Sequence, residues 1–162
     1  MKKRSIITAM FLSAFVVLNA QNFSLSAKSG DVELDANLND INIKAKTDLK
    51  IFKKDLSLEF NIGEPKIDKM IVDLKMSPAD AYMVLQVASE TKKEPDMVLN
   101  SFTTNKDKGW GVIAKEMGIK PGSPEFHALK GKAKNKKDKS GKGKDKGGEG
   151  HGNGKGHGKG KK

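Results

Sequence analysis

Thirteen lysines stand between residues 130 and 162 against only Asp138, Asp145 and Glu149, so this segment carries +10 of a total net charge of +11. Closely spaced ammonium groups on a Gly-rich backbone bind polyanions by releasing condensed counterions, with little selectivity for the polymer. Lys130, Lys132, Lys134, Lys136, Lys137, Lys139, Lys142, Lys144 and Lys146 form the densest part of the run and are the candidate polyanion-binding residues. The partners implied are anionic polymers or lipid surfaces. His151 and His157 lie in the same Gly-rich context and offer a transition metal two imidazoles. They give a second reading, a periplasmic metal-handling protein. With no acid or Cys at ligand spacing beside them, no metal or cofactor residue is assigned.

Catalytic chemistry finds little to build on. His127 is the one histidine ahead of the Lys/Gly segment, and no Gly-x-Ser-x-Gly elbow accompanies it. Asp80, Glu90, Asp96 and Glu116 fall opposite apolar stripes and read as caps or solvated faces; nothing selects a carboxylate pair for glycoside chemistry. The absence of Cys excludes disulfides, thiol catalysis and Cys-ligated zinc. A non-enzymatic protein with no catalytic residue is therefore expected. Gly109-Trp110-Gly111 is the sharpest local feature. Glycines beside an indole let a partner backbone or a sugar ring approach, which makes Trp110 a candidate partner contact. Its place on a helical apolar stripe argues instead for a core position.

These residues must be positioned by a body of different character. Lys2, Lys3 and Arg4 account for +3, which leaves residues 21–129 at −2: a slightly acidic body with a cationic extension. Residues 1–20 read as a secretory signal peptide, with a basic start, an apolar run over 6–18 and the small residue Ala20 at the cleavage point. The expected location is periplasmic or secreted. The run is shorter than the roughly 20 residues a bilayer-spanning helix needs, so no transmembrane segment is expected after processing. Three short capped helices invite a helix-turn-helix reading, but an acidic body and an export signal oppose specific nucleic-acid binding.

Residues 21–63 alternate apolar and polar with period two: Phe23, Leu25, Ala27; Val32, Leu34, Ala36, Leu38; Ile41, Ile43, Ala45; Leu49, Ile51; Leu56, Leu58, Phe60, Ile62. Turn residues sit where the parity changes, at Ser29-Gly30, Asn39-Asp40, Lys46-Thr47-Asp48 and Lys53-Lys54. Pairing across each turn keeps the apolar residues on one face. This predicts an antiparallel β-meander of about five strands, with self-association through its sheet as a consequence of open edges.

Residues 64–129 change period. Ile67, Met70, Ile71 and Leu74 form one helical stripe, and Ala81, Val84, Leu85 and Ala88 the next. Ser77-Pro78, Glu94-Pro95 and Ser123-Pro124 are cap-plus-proline starts. Trp110, Ile113, Ala114 and Met117 make a further stripe, which Gly118 is placed to end. About four short helices are expected, giving an α+β fold. From residue 130 to 162 Ala133 is the only apolar side chain, so this tail is expected to be disordered.

The string GWGVIAKEMGIKPGSPEFHALK, residues 109–130, resembles a motif of small exported bacterial proteins: a GWG-x-IAK core, a KPGS-x-EFH turn and helix, and a Lys/Gly/His-rich end. The resemblance covers roughly residues 77–129. It implies an exported bacterial protein and carries no activity, ligand or residue role with it.

Overall fold

The computed structural model describes residues 28–139, and all its regular structure is helical. In order, α1 spans Val32–Thr47, α2 Leu49–Phe60, α3 Glu64–Asp68, α4 Pro78–Thr91, α5 Pro95–Asn105, α6 Trp110–Glu116 and α7 Pro124–Lys139. A π-turn at Lys69–Asp73 prolongs α3, and a 3-10 turn at Lys106–Lys108 joins α5 to α6. The expected α+β fold with a β-meander is thus incorrect: no strand occurs among the described residues. Self-association through a sheet loses its basis with it.

The reason lies in which apolar residues are buried. Leu34, Leu38, Ile41 and Ala45 are fully covered, and they fall at i, i+4, i+7 and i+11, one stripe of α1. Val32, Ile43, Ile51 and Leu58 supported the alternation equally well, yet they lie exposed, Val32 at 87% and Leu58 at 73%. On α2 the buried pair is Phe52 and Leu56, four apart. The period-two list contained a helical subset and could not by itself reveal it. Two residues near supposed turns are helix caps. Asp31 accepts from the Leu34 N–H at 2.9 Å and Asp48 accepts from the Ile51 N–H at 2.9 Å, each satisfying an orphan donor of a first turn. Asn39-Asp40 lies inside α1.

α4 is the axis. Residues 78–88 are all buried except Asp80, as a helix that is apolar on every side must be. Ser77 caps it, accepting from the Asp80 N–H at 3.1 Å, and Pro78 occupies the first turn where no donor is missed. Asn42 of α1, wholly buried, accepts from the Ala79 N–H at 2.8 Å and so joins two helices through a second cap. α1, α2, α5 and α7 pack around α4, and among the described elements the most extensive contact is between α1 and α7.

That contact corrects a second expectation. The segment from residue 130 was expected to be disordered, but α7 continues to Lys139; residues 140–162 lie outside those described, as does the expected signal peptide. Leu129, Ala133 and Lys136 are buried at i, i+4 and i+7. Lysine stems are aliphatic and cover apolar surface while the head group finds a partner, so counting apolar residue types understates what this helix buries.

Candidate functional site

α7 runs alongside α1 in the same direction, with Lys130 at the start of α1 and Lys137 beside its middle turns. The Lys130 ammonium lies between Asp31 at 3.0 Å and Glu33 at 2.9 Å. Lys137 reaches Asp40 at 3.3 Å and donates to the Asn37 side-chain oxygen at 3.2 Å, while its own carbonyl accepts from the Lys44 ammonium. The other flank of α7 meets α4 and α2. Lys132 pairs with Glu90 at 2.5 Å, and Glu90 also accepts from Gln86 at 2.9 Å. Lys136, only 5% exposed, pairs with Glu59 at 2.8 Å and lies 5.5 Å from the centre of the Phe52 ring.

Four of the candidate polyanion-binding lysines, Lys130, Lys132, Lys136 and Lys137, are therefore committed to carboxylates of this chain. Lys134 and Lys139 are exposed. Lys142, Lys144 and Lys146 lie outside the described residues. The electrostatics are mutual at the start of the seam. Lys130 is held above its ordinary pKa by Glu33 and then Asp31. Asp31 is held below the usual carboxylate range, first by the Leu34 N–H it caps and further by Lys130. The Tyr82 hydroxyl and the Asn37 side-chain nitrogen are buried without a hydrogen-bond partner. Burial, with Glu59 and Glu90 adding to it, pushes the Tyr82 phenol far above its ordinary pKa.

Trp110 is 2% exposed and stacked on Phe102 at 5.1 Å, so the candidate partner contact is a core residue. Its indole N–H donates to Asp80 at 2.8 Å. The two flanking glycines face this chain's own backbone. A Cβ at Gly109 would overlap the Lys28 carbonyl oxygen, and one at Gly111 the Ser29 carbonyl oxygen. Gly109 also has φ of +80°, which favours glycine. The Trp110 N–H donates to the Lys28 carbonyl at 2.6 Å. Gly-Trp-Gly is thus a clasp that holds the extended segment leading into α1. The cavity beside it, about 90 Å³ and lined by Lys28, Asp80, Phe102, Lys106 and Trp110, is well below the roughly 300 Å³ at which small-molecule pockets begin.

The acids weighed for catalysis each have a structural partner. Asp80 holds Trp110 and Ser77, Glu90 holds Lys132 and Gln86, Asp96 holds Lys66, and Glu116 accepts from Ser101 and Asn105. His127 is exposed on α7. No group of three or more His, Cys, Asp or Glu is placed to hold a metal among the described residues; His151 and His157 lie outside them. The sequence reading missed Asp31, Glu33, Asp40 and Glu59 as partners of the lysines. The available signal was the spacing of Lys130 and Lys137, seven apart, and Lys132 and Lys136, four apart, each pair on one helical face.

No helix among the described residues is long and apolar enough to cross a membrane. No family model matches the chain, and neither a curated protein nor a solved structure proves similar to it.

Proposed function

We propose that this is an exported, non-enzymatic protein whose lysine-rich C-terminal segment binds anionic polymers or surfaces, with the helical body serving as its anchor. The observation that carries the reading is the partition of charge along α7. The buried flank spends its lysines on Asp31, Glu33, Asp40, Glu59 and Glu90, which fixes the helix to the body. The solvent flank presents Lys134 and Lys139, and the chain then continues with seven more lysines against Asp145 and Glu149. A cationic run tethered to a body of opposite sign keeps the polymer contact on one side of the molecule, and its affinity falls steeply with salt.

The test keeps the full chain and replaces Lys142, Lys144, Lys146, Lys155, Lys159, Lys161 and Lys162 by Gln. On immobilised heparin the natural chain elutes late in a salt gradient and the variant elutes early. Vesicles with and without an anionic lipid, run in parallel, separate a lipid surface from a soluble polymer as the partner. Equal elution of the two chains, with no vesicle binding by either, would overturn the reading.

A further inference from the structure

We propose that the C-terminal part of α7 is a latch opened by anionic polymer: Lys132, Lys136 and Lys137 exchange the carboxylates of this chain for polymer charges, and the helix beyond Gly131 leaves α1. The proposal rests on the polymer-binding reading above and adds its regulation. Opening lengthens the cationic run by these three lysines and uncovers an acidic groove formed by α1, α2 and α4.

The docking of residues 130–139 is mostly ionic. Beyond Leu129 the only apolar side chain that α7 buries is Ala133. Asp40 and Glu59 are 46% and 41% exposed, so they are rehydrated readily when the helix departs, while Glu90, 14% exposed, is the more enclosed partner. Exposed pairs of this kind are individually weak and yield to competing ions. Lys136 is the exception, since it is buried and depends on Glu59 for its only carboxylate among the described residues. Two buried groups in the seam gain by opening, because the Tyr82 hydroxyl and the Asn37 amide nitrogen lack partners while it is closed. A hinge is present as well. Phe126 and Leu129 keep the first turns of α7 against the core, and Gly131 follows them, with open space where a side chain would be. Glycine within a helix weakens its continuity, here between the anchored turns and the ionic ones.

The chain has no Cys, so Lys46→Cys and Lys139→Cys place two spin labels uniquely on the ends of α1 and α7, both at exposed positions. Pulsed electron paramagnetic resonance on the full chain should give one narrow distance without polymer and a longer, broad distribution as heparin is added. In the labelled chain, Glu59→Gln leaves the Lys136 ammonium buried without its counter-charge and should move the transition to about tenfold lower heparin. Gly131→Ala should move it about fourfold higher by stiffening the hinge. Heparin binding is followed on the same samples by fluorescence anisotropy of labelled heparin. Bound heparin with an unchanged distance overturns the latch and leaves the polymer-binding reading standing; no binding at all overturns both.

Discussion

Replacing Gly111 by Ala sets two effects of opposite sign against each other. Gly111 lies in the first turn of α6, where Ala is favoured over Gly by about 1 kcal/mol on helix propensity alone. Against this, the new Cβ would overlap the carbonyl oxygen of Ser29, a backbone atom that cannot swing away alone. Ser29 is fixed by its N–H, which donates to Asp35 at 2.6 Å, and the preceding Lys28 carbonyl takes the Trp110 N–H at 2.6 Å. Displacing the segment forfeits one ordinary hydrogen bond, about 1 kcal/mol, and one to a carboxylate, about 1.5–3 kcal/mol. The net expectation is destabilisation by about 1.5–3 kcal/mol. Trp110 is the chain's single Trp and is buried in this clasp, so its emission during urea unfolding reports the change directly. Gly131→Ala is the internal control: it is also helical, but has nothing within 4 Å of the added carbon, and should gain about 1 kcal/mol. If Gly111→Ala is stabilised to the same degree as Gly131→Ala, the clasp argument is wrong.

Two further outcomes follow from the seam. Tyr82→Phe removes a buried hydroxyl that has no partner and keeps the ring against Phe60; urea midpoints should rise by the equivalent of about 1 kcal/mol, and a fall would show that the hydroxyl is satisfied. Asp31 has a folded pKa below its ordinary value of 3.8, chiefly because it accepts from the Leu34 N–H. Its contribution is therefore full above that value and is lost as pH falls through the lower, folded one. Asp31→Asn should flatten the acid limb of stability against pH, and an unaltered limb would remove Asp31 as a contributor.

Helix starts in residues 77–129 were legible because Ser77-Pro78 and Ser123-Pro124 carry their own local chemistry, a side-chain acceptor followed by a residue with no N–H. Gly118 was legible for the same reason, ending α6 at φ of +104°. Residues 32–60 were misread because alternation is also a sampling of every helical face. Leu34 and Leu38 were indistinguishable in type from Val32 and Leu58, and only packing decided which would be covered. Asp31 and Asp48 as caps could have broken the tie, since each precedes an apolar helical stripe. The role of Gly109 and Gly111 was not legible at all, because it depends on a segment some 80 residues earlier. The ion-paired half of α7 was hidden for a different reason: lysine is counted as a solvent residue by composition, while its stem and charge can both be used inside a seam.

The contact between α1 and α7 joins the two ends of the described chain and has a consequence for the order in which the protein can be completed. A polypeptide that emerges from its amino terminus, from a ribosome or from a narrow channel, presents Leu34, Leu38 and Ile41 first. The stretch holding Leu129 and Ala133, which complete the core beside α1, arrives about 90 residues later. Closing so long a loop costs entropy before any contact compensates for it, whereas the contacts within and between neighbouring helices are mostly local and form fast. The contact of Leu129 and Ala133 with α1 is therefore the last part of the described core to be delivered, in the same stretch of chain that leads into its cationic end.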